Sequence, residues 1–350
     1  MKPIGIIANP WSGKDIRRLV TSGSVVSNNE KANMIRRILQ GLDSTGVNET
    51  VIMRDSSGIG ARAMDHLDLS MEVNYLDHPM TDNQDDSTLA ARIMDEKGVA
   101  CIIVLGGDGT NRVVAKGAGQ TPLLSVSTGT NNAFCEMLEG TLVGMAAGVL
   151  ASGAVDREAV CKQMPSLEVW KGDYLLDIAL VDLVISSANY IGSRAIWEED
   201  ALEEVFLTRA EPGHIGFSYL GGHLRPLRPD EPRGMHIIVG EGDDDQRVMA
   251  PIAPGLVRWV SIKQYRLIEA GAFVKITPRQ LSVALDGERE HVLTQRDTIS
   301  VTYNPQGPFV VNPTQALEIA SESGFFIKRP AGPTSKVFVD NEPTPVWFKK

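Results

Sequence analysis

The chain has little of what would tie it to an oxidising compartment, a membrane or a nucleic acid. Its 350 residues hold three cysteines, Cys101, Cys135 and Cys161. They are widely spaced and odd in number, which argues against a disulfide framework and against paired zinc-ligand spacing. Cys101 lies in an apolar run and Cys135 in a stretch that reads as helix, so both are expected in a core. No apolar run reaches membrane-spanning length, and Met1-Lys-Pro-Ile-Gly-Ile-Ile-Ala8 enters a strand without a signal-peptide pattern. Cations are in deficit: 34 lysines and arginines against 44 acids leave a net charge of -10. General nucleic-acid or anionic-membrane binding needs a basic field, so neither fits. A cytoplasmic protein with no nucleic-acid partner and no stable membrane association is expected. Internal repeats and low-complexity segments are also missing.

What is present is an ordinary globular composition, 43% hydrophobic and 22% charged, in a chain long enough for two cores. Up to about residue 155, strand-like and helix-like patterns alternate. Ile4 to Ala8, Glu49 to Met53, Met71 to Leu76, Val99 to Leu105 and Pro122 to Val126 read as strands. Glu30 to Leu42, Asp86 to Lys97, Asn131 to Leu138 and Leu142 to Leu150 read as helices. Such alternation predicts a doubly wound parallel sheet, with ligands at the carboxyl ends of its strands. Beyond about 156, strand-like runs dominate, among them Tyr174 to Ser186, Val257 to Lys263 and Leu281 to Leu285. They predict a mostly antiparallel second domain. The expected division is an α/β domain over 1–155, a β-rich domain over 156–305, a segment over 306–328 returning to the first domain, and an extended tail over 329–350. Pro313 to Ser323 reads as the helix of that returning segment.

Gly106-Gly107-Asp108-Gly109-Thr110 carries the most information. It joins the apolar run Val99 to Leu105 to a helix start at Asn111. A strand, a glycine turn and a helix make a phosphate cradle, because free backbone N–H groups and the helix dipole face the loop. A carboxylate beside polyphosphate repels it unless the carboxylate handles a metal or a proton, so Asp108 suggests phosphoryl transfer. Lys14, Arg17, Arg18, Arg112 and Lys116 are near in sequence and could supply local positive charge.

Other loops are read beside their plainer explanations. Asn9-Pro-Trp-Ser-Gly-Lys14 departs from the Walker pattern, with Ala8 and Asp15 at positions that need Gly and Ser/Thr. As a second loop at the same sheet edge, it offers Asn9, Ser12 and Gly13 to phosphate or ribose. Ser127-Thr128-Gly129-Thr130-Asn131-Asn132 contains more small polar residues than one helix cap needs. Gly58-Ile-Gly-Ala-Arg-Ala63 reads as an ordinary helix start despite its loose dinucleotide spacing. Asp286-Gly287-Glu288 is a hairpin turn that could also aim two carboxylates at a cleft. His291 reads as an exposed strand-face residue, and Glu211 to Phe217 as a flexible loop.

Asn-Pro-x-Ser-Gly at 9–13, Gly-Gly-Asp-Gly-Thr at 106–110, Thr-Gly-Thr-Asn-Asn at 128–132 and Asp-Gly-Glu at 286–288 together resemble the superfamily of NAD kinases and diacylglycerol-type lipid kinases. The resemblance covers roughly residues 1 to 325. Within that superfamily, the opening over 4–20 is most similar to the acetoin-catabolism protein X branch. It implies an ATP-dependent, magnesium-requiring kinase with an N-terminal α/β domain, a C-terminal β-sandwich-like domain and a homo-oligomeric state. Asp108 and Glu288 would be its catalytic candidates. Asn9, Ser12, Gly13, Gly106, Gly107, Gly109, Thr110, Thr128, Gly129, Thr130, Asn131 and Asn132 would line the nucleotide side. Asp182 and Asp286 would stand on the acceptor side.

The implied acceptor is a soluble small molecule, with NAD or NADH first. A lipid kinase and an inactive nucleotide-binding regulator are the alternatives. The chain departs from NAD kinases at Leu180-Val181-Asp182, where they carry Asn-Glu. Ala253-Pro254-Gly255 is the only counterpart found for their Thr-Pro-Thr-Gly-Ser-Thr-Ala-Tyr segment.

Overall fold

A computed structural model describes residues 1–12, 26–129, 132–187, 201–242 and 246–328. Gly13, Thr130, Asn131, the basic residues Lys14, Arg17 and Arg18, and the tail from 329 lie outside the described residues.

The first part alternates strand and helix. In chain order these are β1 (Ile4–Ala8), α1 (Asn28–Ser44), β2 (Glu49–Ile52), α2 (Ile59–Met64), β3 (Glu72–Tyr75), α3 (Asp85–Glu96), β4 (Ile102–Gly106), α4 (Asp108–Ala115), β5 (Leu123–Ser127), α5 (Gly140–Ser152), α6 (Arg157–Val160) and β6 (Cys161–Gln163). Strands β1 to β5 are mutually parallel in the order β3-β2-β1-β4-β5. β1, β4 and β5 are buried throughout and mostly apolar, as strands covered on both faces must be. Ile4, Ile6 and Ala8 face α1 and α5, whereas Ile7 faces α3 and α4. α1 and α5 cross so closely that a Cβ on Gly144 would lie 2.1 Å from the Ile38 carbonyl oxygen. The register pairs Ala8 with Leu105 and Gly106 with Ser127. The loops after β1, β4 and β5 therefore leave the sheet side by side.

The second part holds β7 (Ser166–Lys171), β8 (Tyr174–Ala179), β9 (Asp182–Ser186), β10 (Leu202–Leu207), α7 (Phe217–Leu224), β11 (Arg233–Val239), β12 (Arg247–Ala253), β13 (Leu256–Glu269), β14 (Phe273–Ile276), β15 (Leu281–Leu285), β16 (Glu288–Leu293) and β17 (Ile299–Asn304). Seven strands form one sheet, in the order β12-β13-β11-β10-β9-β15-β16, and four form another, β14-β17-β7-β8. Their pairings are antiparallel. Leu167, Val169, Leu183, Ile185, Phe206, Val283 and Val301 fill the space between them. The fold is thus an N-terminal parallel α/β unit followed by antiparallel sheets. After β17 the chain returns: β18 (Phe309–Val311) pairs with β5 and β6, and α8 (Pro313–Glu322) buries Ala316 and Ala320 in the first core.

Two expected elements differ for one shared reason. No helix forms over the described residues 132–139, which instead bend and bridge Glu136 to Val126. The N–H groups of Ala133, Phe134 and Cys135 are drawn onto the Asp108 carboxylate. The run Tyr174 to Ser186 is two strands, broken at Leu180-Val181, where the backbone turns its N–H groups onto Asp286. A side-chain carboxylate that collects neighbouring backbone donors competes with regular structure for them.

Candidate active site

The adjacent loops are stitched together by short polar side chains. The Asn9 amide donates to Thr110 Oγ1 at 3.0 Å, and the Ser12 and Thr128 hydroxyls share a hydrogen at 3.1 Å. Asn132 spans the other side: Nδ2 donates to Ser127 Oγ at 2.7 Å, while Oδ1 accepts from the Asp108 N–H at 3.2 Å. Beneath the β1 loop lies Lys31, fully buried, whose Nζ donates to the Asn9 carbonyl at 2.8 Å and the Ser12 carbonyl at 2.6 Å. Sequence reasoning passed over Lys31. Its signal was a lysine on the apolar stripe of α1, in helical phase with Met34, Ile35, Ile38 and Leu42.

Asp108 opens α4 and is 7% exposed. Its Oδ2 accepts from Ala133 N–H at 2.7 Å, and its Oδ1 from Phe134 and Cys135 N–H at 3.1 and 3.3 Å. Burial raises its pKa, and those three bonds work against the rise. The carboxylate therefore anchors the loop after β5. Asp286 does the same in the second part. It sits in the left-handed region at φ 49° and accepts from the N–H groups of Leu180, Val181 and Asp182 at 2.7 to 3.2 Å. Burial, then the charge of Asp182, drives its pKa well up. The structure thus brings Asp108 and Asp286 to one seam, where Ala133 and Phe134 pack on Leu180 and Val181, with both carboxylates turned into backbone. Val181 is 2% exposed, so the position that departs from the Asn of NAD kinases offers methyl groups to that seam.

Glu288 is placed differently. Its side chain is 47% exposed and lies over Gly109, where a Cβ would come within 2.6 Å of the Glu288 carboxyl carbon. Any side chain at Gly109 would push Glu288 away from the start of α4. Arg112, one turn along α4, is fully buried. Its Nη1 meets Asp177 Oδ1 at 3.1 Å, and its Nη2 lies 3.4 Å from Gln84 Oε1 and 3.7 Å from Glu288 Oε2. Lys116 Nζ and His291 Nε2 reach Asp177 at 3.0 and 3.1 Å. Burial favours the neutral form of Asp177, but His291, then Arg112 and Lys116, outweigh it and hold the carboxyl well below the usual range. His291 is therefore hydrogen-bonded to the Asp177 carboxylate and 25% exposed, not an exposed strand-face residue. Arg112 and Lys116 direct their charge at Asp177 across the domain junction.

A cleft of about 370 Å³ opens beside these loops. Its walls are Asn9, Pro10 and Trp11 after β1, Met53 to Ser56 after β2, Asp82 to Gln84, Asp86 and Ser87 before and within α3, and Glu288 from the second part. Asp55 is already used as a cap, accepting from Ile59 N–H at 3.0 Å, and Arg54 pairs with Asp77 at 2.9 Å. The Gly58 segment is the ordinary start of α2 that the sequence suggested. Ala253 to Gly255 fall at the β12–β13 hairpin, while Thr208 and Arg209, just before the Glu211 loop, pack into the seam.

Residues 4–154 match the ATP-NAD kinase N-terminal domain, and residues 165–306 match the acetoin catabolism protein X C-terminal domain. Acetoin catabolism protein X of Cupriavidus necator is 40% identical over 313 residues, 85% of this chain and 87% of that protein. The chain belongs to the acetoin catabolism protein X family. Yeast NADH kinase, solved with NADH, shares the fold at a TM-score of 0.51 and 13% identity, covering 95% of this chain and 90% of that one. A putative diacylglycerol kinase from Bacillus anthracis str. Sterne aligns at 0.45 and 13%, covering 89% and 98%. Among the described residues, no helix is long and apolar enough to cross a membrane.

Proposed function

We propose that this member of the family is an ATP-dependent kinase that phosphorylates a hydroxyl of a soluble small molecule. The observation that carries the reading is the position of Glu288. It comes from the second part, lies on the glycine at the start of α4, and lines the same cleft as the β1 loop. Nucleotide phosphates would lie against the Gly106 to Thr110 and Asn9 to Ser12 loops, where the α4 N-terminus favours anions. The cleft at Trp11 and Met53 to Ser56 has the volume of a small-molecule site, about 370 Å³.

Phosphoryl transfer needs mainly positioning and charge neutralisation. Glu288 would take the proton of the acceptor hydroxyl as its oxygen bonds to the γ-phosphorus and ADP leaves. Magnesium belongs to the substrate MgATP, since it is bound chiefly through phosphates and one or two carboxylates. Glu288 places its carboxylate against Gly109 at the start of α4, on the side of the cleft. In this reading Asp108 is the loop anchor, and Glu288 takes the base role for which both were candidates.

NAD and NADH are the first acceptors to test. Val181 weighs against them, because a methyl surface replaces a polar contact at the seam. A regulator that binds nucleotide without catalysis is the second reading, and the burial of Asp108 favours it. The test is ADP release from MgATP with NAD, NADH and a panel of hydroxyl metabolites, alongside calorimetric titration of MgATP. Acceptor-dependent ADP release supports the kinase. MgATP binding with no release on any acceptor supports the regulator.

A further inference from the structure

Gly109, Arg112 and Lys116 recur at the spacing that puts residues on one face of α4 and its cap. That face meets the second part. Gly109 lies under the Glu288 carboxylate, Arg112 reaches Asp177 and Glu288, and Lys116 reaches Asp177. Sequence reasoning offered Arg112 and Lys116 as charge for phosphate; the fold turns both toward carboxylates.

Arg112 is the branched member of this face. It is fully buried, and its two terminal nitrogens are divided between partners. Nη1 donates to Asp177 Oδ1 on β8 at 3.1 Å. Nη2 donates at 3.4 Å to Oε1 of Gln84, which precedes α3 on the cleft wall, and lies 3.7 Å from Glu288 Oε2 on β16. A planar guanidinium holds such a fork at fixed angles, whereas a lysine ammonium is a single point of charge. The Asp177 contact therefore fixes where Nη2 stands, which is between the cleft wall and Glu288. On its other side the Glu288 carboxylate rests on Gly109, where a Cβ would come within 2.7 and 2.9 Å of its two oxygens. Glu288 is a long side chain, 47% exposed, and holding it in one rotamer costs entropy that such contacts must offset.

We propose that Arg112 is a positioning residue for Glu288: anchored on Asp177 through Nη1, it holds the Glu288 carboxylate over Gly109, beside the Gln84 wall of the cleft, through Nη2. The consequence for turnover rests on the kinase reading; the contact does not.

Arg112→Lys keeps a cation for Asp177 and loses the second arm of the fork. Arg112→Met with Asp177→Leu removes the fork without leaving half of a buried pair. ADP release from MgATP with an active acceptor would be measured on the full chain for wild type, Arg112→Lys, that apolar double variant, Glu288→Gln, and Glu288→Gln with Arg112→Lys. Arg112→Lys and the apolar double variant are expected to lower kcat by about tenfold to a hundredfold, the scale of a misplaced reacting group, with KM for MgATP within a few-fold. In the Glu288→Gln background, Arg112→Lys should cost less than about twofold more, because its effect passes through a carboxylate already removed. A residue serving the fold alone would lower both backgrounds by the same factor. Where Arg112→Lys does not fold, the apolar double variant takes its place in both comparisons.

NMR of isotope-labelled arginine side chains reads the contact without any turnover. The Arg112 signals are those missing from the Arg112 variants, and they are expected to move in Glu288→Gln as well as in Asp177→Asn. Arg112 signals that stay in place in Glu288→Gln, or turnover losses that multiply in the combined variant, would overturn the proposal. If wild type binds MgATP yet releases no ADP with any acceptor, the kinase reading falls, and the arginine signals still decide the contact.

Discussion

Asp177→Asn is the perturbation that probes the domain junction most sharply. The wild-type carboxylate receives Arg112 from α4, Lys116 from the end of α4 and His291 from β16, all within 3.0 to 3.1 Å. Arg112 is fully buried, so removing this negative partner leaves a cation away from water with the Glu288 carboxylate at 3.7 Å beside it. Breaking a buried pair in this one-sided way costs about 3–5 kcal/mol. That corresponds to roughly a hundredfold to a few thousandfold in the folding equilibrium. Lys116 can turn to solvent and Arg112 cannot, so Arg112 dominates the loss.

Urea unfolding followed by tryptophan fluorescence reads the loss directly. The combined change Arg112→Met with Asp177→Leu should recover much of it, because an apolar pair of similar volume needs no counter-charge. The pH dependence has a fixed sign. Asp177 has its pKa lowered by folding, so its contribution is complete above the ordinary carboxylate value near pH 4. It is lost as pH falls below that value toward the folded one. A cost for Asp177→Asn of under about 1 kcal/mol, the level of an exposed pair, would refute the reasoning.

Two further outcomes follow from the site. Lys31→Met leaves the Asn9 and Ser12 carbonyls without their buried donor; a stability loss of about 1.5–3 kcal/mol is expected, together with weaker MgATP binding by titration calorimetry. Asp108→Asn turns an amide NH₂ toward backbone donors, so it should lower stability by about 1–3 kcal/mol and speed hydrogen exchange at 133–135. Unchanged exchange there would remove the anchor role of Asp108.

The sheet edge was legible because its cause is local. Apolar runs of strand length ending in glycine can only leave a parallel sheet at its carboxyl end, and the register then sets loops 9–12, 106–110 and 127–129 side by side. What Asp108 and Asp286 do was not legible. Each collects N–H groups from residues far along the chain, 25 to 27 positions away for Asp108 and 104 to 106 for Asp286. The same distance explains the helix expected at Asn131 and the single strand expected over Tyr174 to Ser186. Local pattern assigns those N–H groups to regular structure, while tertiary packing gives them to a carboxylate. His291 and Arg209 were opaque for a related reason. A lone histidine on a strand or an arginine after one reads as solvated until the fold supplies Asp177 or the buried seam.

Glu288 is the residue on which phosphoryl transfer in this cleft depends. ADP release from MgATP with an active acceptor should be compared between wild type and Glu288→Gln, with MgATP affinity measured on both. The prediction is a fall in turnover of about 100-fold or more, the scale of an acid–base group, with affinity held within a few-fold. Wild-type turnover in Glu288→Gln, or a wild type that binds MgATP and releases ADP with no acceptor, would contradict it.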